Sequence, residues 1–188
     1  MRHNSGFSLI EVVIATSIAA LIFLLISGVY VLSQKVYSET DAKAELSQNG
    51  RVILDRMVRE IRQTPDIITQ LPINTSDPTQ LPSEIMFQDG HDISETRYIR
   101  YFMDGTDLKR QLIIFYFADQ PDYYVHSYDT DKEPPHNPPI KQVLEEKIIG
   151  EYLDDIEFWG ERLLNINIYL SKNHQNIIIN TAVYGRNL

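Results

Sequence analysis

The chain has 188 residues, of which 43% are hydrophobic and 23% are charged. This is an ordinary globular composition with room for one hydrophobic core. The 17 lysines and arginines against 26 aspartates and glutamates give a net charge of -9, which repels phosphate backbones and argues against direct nucleic-acid binding. The chain has no cysteine, which excludes disulfides, thiol catalysis and thiolate metal sites.

A long apolar segment lies near the N-terminus, and residues 12–34 carry no formal charge. As a helix this segment is about 35 Å long, which is enough to cross a hydrocarbon core of about 30 Å. No small-residue cleavage site of the signal-peptide type follows Leu32. We therefore predict one retained membrane span, with the short N-terminus inside the cytoplasm and the rest of the chain outside.

A carboxylate, Glu11, stands at the start of this apolar segment, within the stretch GFSLIEVVIATS at residues 6–17. An acid in a membrane helix costs about 2.5 to 3.5 kcal/mol on insertion scales unless it reaches the interface or finds a partner. Two interpretations follow from its position alone. The side chain is tolerated at the level of the lipid headgroups, or it has a charged partner within the membrane.

The order of these residues resembles the prepilin signature of type IV pilins and type II secretion pseudopilins. A short polar leader ends in glycine and is followed by Phe-Ser-Leu-Ile-Glu and an unbroken apolar helix. The resemblance covers residues 1–34. It implies cleavage by a prepilin peptidase after Gly6, N-methylation of the new terminal Phe7, and a role in assembly for Glu11.

In that family the glutamate is expected to meet the terminal amine of a neighbouring subunit. Two opposite charges that neutralise each other in lipid remove much of the cost that each carries alone. The resemblance further implies as partners other pilins or pseudopilins, the prepilin peptidase and an inner-membrane assembly platform. It places the chain in the cytoplasmic membrane, crossed once with the C-terminal domain outside the cytoplasm, and then in a pilus or pseudopilus filament.

The helix is predicted to continue beyond the membrane as far as Thr64, because Pro65 is the first residue that stops it. Its second half is amphipathic. The apolar stripe consists of Leu46, Gly50, Ile53, Met57 and Ile61, widened by Leu54 and Val58. The charged residues opposite it form i,i+4 pairs and are predicted to be exposed to solvent; they are Arg51, Asp55, Arg56, Arg59 and Glu60.

A looser resemblance concerns the stretch NGRVILDRMVREIRQT at residues 49–64 and the ending INTAVYGRNL. Both are similar to the corresponding parts of the J-type pseudopilins and the PilW-like minor pilins. The predicted organisation is a leader peptide at residues 1–6, a transmembrane half of the helix at 7–34, an amphipathic half at 35–64, and an extracytoplasmic β-rich domain at 65–188.

The outer domain shows alternating apolar and polar residues, which is typical of strands. Strands are predicted at 84–88, 96–103, 108–117, 123–128, 153–159, 162–170 and 176–184, with turns at Asp104-Gly105 and within residues 171–175. A long helix followed by consecutive antiparallel strands predicts an α+β fold of pilin-like architecture, with the sheet packed on the apolar stripe of the helix.

No hydrolase, nucleotide-binding or zinc-protease motif occurs in the sequence, so we do not expect an enzyme. Asp129, Asp131 and Glu133 stand at alternate positions before a double-proline loop and are weak candidates for calcium ligands. They lack the glycine and the final glutamate of an EF-hand loop. The favoured interpretation is an acidic surface loop without metal, and no other cofactor is expected.

The prepilin resemblance implies a pilin or pseudopilin subunit. A minor subunit of a tip or initiation complex is predicted because the outer domain is longer than a small packing module needs and because the J-type and PilW-like resemblance includes it. The alternative is a single-pass membrane-anchored binding or sensory domain whose apolar helix is only a tether. This alternative predicts that Gly6 is not cleaved and that Glu11 is dispensable. Secretion, motility and DNA uptake all stay open as the process that the filament serves.

Overall fold

The computed structural model describes residues 8–75, 81–91, 95–132 and 136–185. Within these residues the chain forms a helix followed by eight strands. The elements are α1 Leu9–Gln63, β1 Ile85–Gln88, β2 Tyr98–Asp104, β3 Asp107–Phe117, β4 Gln120–Tyr124, β5 Ile140–Gly150, β6 Leu153–Trp159, β7 Leu163–Lys172 and β8 Gln175–Tyr184. The chain divides into two compact units, Met1–Ala42 and Lys43–Leu188, and α1 contributes to both.

The second half of α1 supplies one side of the hydrophobic core of the Lys43–Leu188 unit. The predicted apolar stripe is confirmed, since Leu46, Ile53, Met57 and Ile61 are completely buried in one cluster with strand residues from both sheets. Gly50 belongs to this stripe because the helix comes very close to the sheet there. A Cβ atom at this position would contact the Ile179 side chain and would lie 2.9 Å from Cδ1 of Leu170.

The first sheet contains β1 to β5 and is antiparallel throughout. The strands β1, β2 and β3 pair in sequence order, and a two-residue turn at Gly105-Thr106 joins β2 to β3. The other side of β3 pairs with β5. The short strand β4 pairs with the end of β3 at Tyr116 and Phe117.

The second sheet is the meander β6-β7-β8, also antiparallel. Apolar side chains on one face, mostly leucine and isoleucine, point into the core, whereas the other face carries mainly polar and aromatic residues, together with Ile178 and Ala182, and is more exposed to solvent. The turn from β7 to β8 consists of Asn173 and His174, with φ values of 51° and 63°. Two successive residues with positive φ are the signature of a type I′ turn, which matches the twist of a hairpin.

The α+β pilin-like architecture is confirmed, and its details differ from the prediction in three places. The strand predicted at 123–128 is observed earlier, as β4 at Gln120–Tyr124. The strand β5 at Ile140–Gly150 was not predicted. The expected single sheet is two sheets that share one core.

Glu60 was predicted on the solvent-exposed face of α1, and this prediction is wrong. Its side chain is only 9% exposed and forms an ion pair with Arg110 of β3, whose Nε lies 3.0 Å from Oε2. The hydroxyl of Tyr101 donates a 2.6 Å hydrogen bond to the same oxygen, and Arg56 reaches Oε1 at 3.4 Å. A buried charge is tolerated when it is paired and hydrogen-bonded, so this cluster joins the helix to the first sheet.

The stability of the protein is expected to fall above about pH 10, the ordinary pKa of tyrosine, and Tyr101 contributes to the fall. Burial and the neighbouring Glu60 carboxylate raise the pKa of Tyr101 well above that value. The folded state then holds a proton that the unfolded state releases, so this contribution is complete below pH 10 and is lost as the pH rises towards the raised pKa. Urea unfolding from pH 8 to 11 measures the slope, and Tyr101→Phe should make it shallower; an unchanged slope would contradict the assignment.

Candidate functional site

The candidate site lies at the N-terminus of α1. The hydroxyl of Ser8 accepts a 3.3 Å hydrogen bond from the backbone N–H of Glu11, and the carboxylate of Glu11 accepts a 2.8 Å bond from the backbone N–H of Ser8. This reciprocal arrangement is a capping box, in which two otherwise unpaired donors at a helix N-terminus are satisfied. The negative charge also lies at the positive end of the helix dipole, which favours it.

The hydroxyl groups in the next turns are satisfied within the helix. Thr16 donates to the carbonyl oxygens of Val12 and Val13 at 3.0 Å, and Ser17 donates to that of Val13 at 2.8 Å. Back-bonding of this kind leaves neither of these two hydroxyl groups unpaired in an apolar environment. The chain can therefore place these residues in lipid without a large polar penalty.

The first half of α1 exposes its apolar side chains all around. Phe23, Leu24 and Leu25 are 74%, 72% and 67% exposed, and the other large apolar side chains of this half of the helix are at least 50% exposed. Among the described residues α1 is long and apolar enough to cross a membrane, and none of its most apolar 18-residue window is buried in the protein. A lipid bilayer or the helices of other subunits would cover such a surface.

Glu11 has no cationic partner in the part of the chain that the structure describes. The capping box binds the carboxylate through hydrogen bonds but supplies no formal positive charge. Gly6 and Phe7, the other two predicted site residues, lie outside the described residues. Of these three predicted site residues the structure thus describes only Glu11, and it places this side chain beside Ser8.

Sequence reasoning missed Ser8. The spacing Ser-x-x-Glu directly before an apolar helix is the usual signature of a capping box and was present in the stretch Ser8-Leu9-Ile10-Glu11. It gives Glu11 a local role that is independent of any partner. Capping alone needs only an acceptor, however, and glutamine would serve as well without the cost of a charge.

A family model matches the N-terminal part of the chain. It is the model of the prokaryotic N-terminal methylation motif, and it matches residues 1–27, which include the predicted cleavage site after Gly6, Glu11 and the first turns of the apolar helix. Neither a curated protein nor a solved structure matches the chain. The motif and the long apolar helix together indicate a precursor of the type IV pilin or pseudopilin type, which is processed by a prepilin peptidase and anchored by a single membrane helix. Proteins of this type are structural subunits that assemble with other pilins.

The carboxylates of the calcium hypothesis lie on the loop that follows β4. Oδ2 of Asp129 accepts a 2.8 Å hydrogen bond from the backbone N–H of His126, and the carbonyl of Asp131 contacts Nδ1 of His136 at 2.8 Å. Glu133 lies outside the described residues. Within the described residues no three acidic or histidine side chains are grouped in a way that could hold a metal ion, and calcium binding stays a hypothesis.

Proposed function

We propose that the chain is a minor subunit of a type IV pilus or of a type II secretion pseudopilus and that it acts in a tip or initiation complex. The observation that carries the filament role is the charge of Glu11, which lies at the start of an exposed apolar helix and has no cation beside it in the described residues. The minor role is supported by the size of the β-rich unit, whose two sheets form one core, and by the J-type and PilW-like resemblance of residues 49–64 and 179–188.

The proposed chemistry has three steps. A prepilin peptidase hydrolyses the peptide bond after Gly6 with one water molecule. The new amino group of Phe7 then takes a methyl group from a sulfonium methyl donor, which leaves as the neutral thioether, and the amine loses a proton. The protonated amine of one subunit then pairs with the Glu11 carboxylate of its neighbour, so that both charges enter the membrane as a neutralised pair. The protein would stay in the cytoplasmic membrane with its β-rich unit outside the cytoplasm until the assembly platform inserts it into a filament.

Gly6→Leu is expected to abolish processing, because the peptidase needs a small residue with free backbone geometry before the scissile bond. The intact mass of the protein purified from membranes of cells with an active prepilin peptidase measures this directly. The unsubstituted chain should begin at methylated Phe7, and the variant should retain all of residues 1–6.

A matched control is Asn4→Leu, which introduces the same side chain away from the cleavage site and should be processed normally. Efficient cleavage of Gly6→Leu would count against the proposed processing site. An unsubstituted chain that still begins at Met1 in such cells would favour the tethered binding or sensory domain instead.

A further inference from the structure

The fold covers two edges of its sheets with other segments of its own chain. The outer edge of β1 is closed by residues 66–69, since Ile68 and Thr69 donate to the carbonyl of Met86 and Gln88 donates to that of Asp66. The outer edge of β6 is likewise covered near its end, where Phe158 donates to the carbonyl of Pro82. Covered edges cannot pair with another chain.

The edge of β8 is open. This strand pairs only with β7, and no other backbone hydrogen bond reaches residues 175–184 within the described part of the chain. It also lacks the features that usually protect an edge, because the sequence QNIIINTAVY has no charge, proline or glycine and its register runs without a bulge. By contrast, the other long open strand, β5, carries four charged residues and pairs through two register shifts.

The geometry of the hairpin identifies the residues whose backbone faces outward. Lys172 and Gln175 flank the two-residue turn and form a hydrogen-bonded pair, so hydrogen-bonded and non-hydrogen-bonded pairs alternate from there along the ladder. The residues of β8 in non-hydrogen-bonded pairs direct their N–H and C=O groups to the open edge. They are Asn176, Ile178, Asn180, Ala182 and Tyr184, whose side chains are exposed.

We propose that the β8 strands of two copies of this chain pair with each other in antiparallel orientation and join two three-stranded sheets into one of six strands. Full overlap of the five outward residues places the two-fold axis at Asn180. Each Asn180 then lies opposite its copy, each Ile178 opposite Ala182, and each Asn176 opposite Tyr184.

The side chains make this register self-complementary. The two Asn180 amides can exchange hydrogen bonds, the Ile178 and Ala182 pair is apolar on both sides, and no two like charges meet. An isologous contact of this kind needs a self-complementary surface, and a strand without charged residues meets no like-charge repulsion when it pairs with its own copy. The contact does not depend on cleavage or on the charge of Glu11, so its failure would leave the proposed filament role intact.

Disulfide trapping tests the register. Because the chain has no native cysteine, every disulfide that forms must involve the introduced residues. In the full-length chain purified in detergent, Asn180→Cys should cross-link to itself under mild oxidation, because the two Cα atoms of such a pair are about 5.5 Å apart, within the range of a disulfide. Ala182→Cys should cross-link several-fold less to itself, since its two Cα atoms are about 14 Å apart. A mixture of Ile178→Cys and Ala182→Cys chains should give the mixed dimer.

A charge swap tests whether the edge drives association. Asn180→Lys and Asn180→Glu should each be monomeric, because like charges lie directly opposite, and an equal mixture of the two should restore the dimer in analytical ultracentrifugation. The proposal is overturned if the unsubstituted chain is monomeric or if Ala182→Cys cross-links to itself as well as Asn180→Cys. It is also overturned if Asn180→Lys still dimerises, which would point to association through the apolar helix.

Discussion

Glu60→Leu is expected to lower the free energy of unfolding by about 3 to 5 kcal/mol, since removing one partner of a buried ion pair leaves the other charge uncompensated. Arg110, with a side chain 10% exposed, would lose the carboxylate at 3.0 Å. Tyr101 would lose the acceptor of its hydroxyl proton as well. A buried donor left unpaired adds to the destabilisation.

Urea unfolding of the full-length chain in detergent measures this loss through the fluorescence of Trp159, the single tryptophan. Asp55→Leu is a matched control, because Asp55 is an exposed acid of the same helix, and its effect should stay within about 0.5 kcal/mol. The double variant Glu60→Leu with Arg110→Leu should recover much of the loss, since both charges leave the core together. A double variant as unstable as the single one would show that packing, not charge, causes the effect.

Glu60 also shows why periodicity alone misplaces a residue. Its neighbours Arg51, Asp55 and Arg59 are exposed as predicted, and the spacing of charges along the helix gives no reason to separate Glu60 from them. What buries it is the first sheet, which brings Arg110 and Tyr101 within hydrogen-bond distance from 50 and 41 residues away along the chain. Such distant partners cannot be found from a helical pattern, whereas the apolar stripe can.

The strands likewise fall into those that the sequence pattern predicts and one that it does not. Those with regular alternation, such as β7 and β8, were predicted to within two residues. The strand β5 was missed because its apolar residues come in adjacent pairs, Val143-Leu144 and Ile148-Ile149. The register with β3 shifts at both pairs, so that Leu144 and Ile149 are extra residues in bulges that break the alternation of two. The sequence pattern of a bulged edge strand is close to that of a loop.

At the candidate site the position of Glu11 was readable from the sequence, because a charge beside an apolar segment of this length is conspicuous. The reason for its position has two components that the sequence pattern does not separate. The structure shows the local one, the capping box with Ser8. The proposed one is the pairing of charge with a neighbouring subunit, and a set of three variants can separate them.

Glu11→Leu is expected to be processed normally and to be lost from the filament fraction. A hydrogen bond to a charged group is worth about 1.5 to 3 kcal/mol, so its loss should weaken each subunit contact by about tenfold or more. The measurement compares the mass of the processed protein in membranes with its amount in sheared filaments or, for a secretion pseudopilus, in complexes with the other pilins.

The decisive control is Glu11→Gln, because glutamine keeps the acceptor of the capping box and removes only the charge. If the charge is what assembly requires, this variant fails as Glu11→Leu does. Ser8→Ala is its counterpart, since it removes the hydroxyl of the capping box, at a cost of about 1 kcal/mol to the helix N-terminus, and keeps the carboxylate; it should still assemble. Assembly of Glu11→Gln with failure of Ser8→Ala would contradict the proposed charge pairing. The role of Glu11 would then be limited to capping the N-terminus of α1.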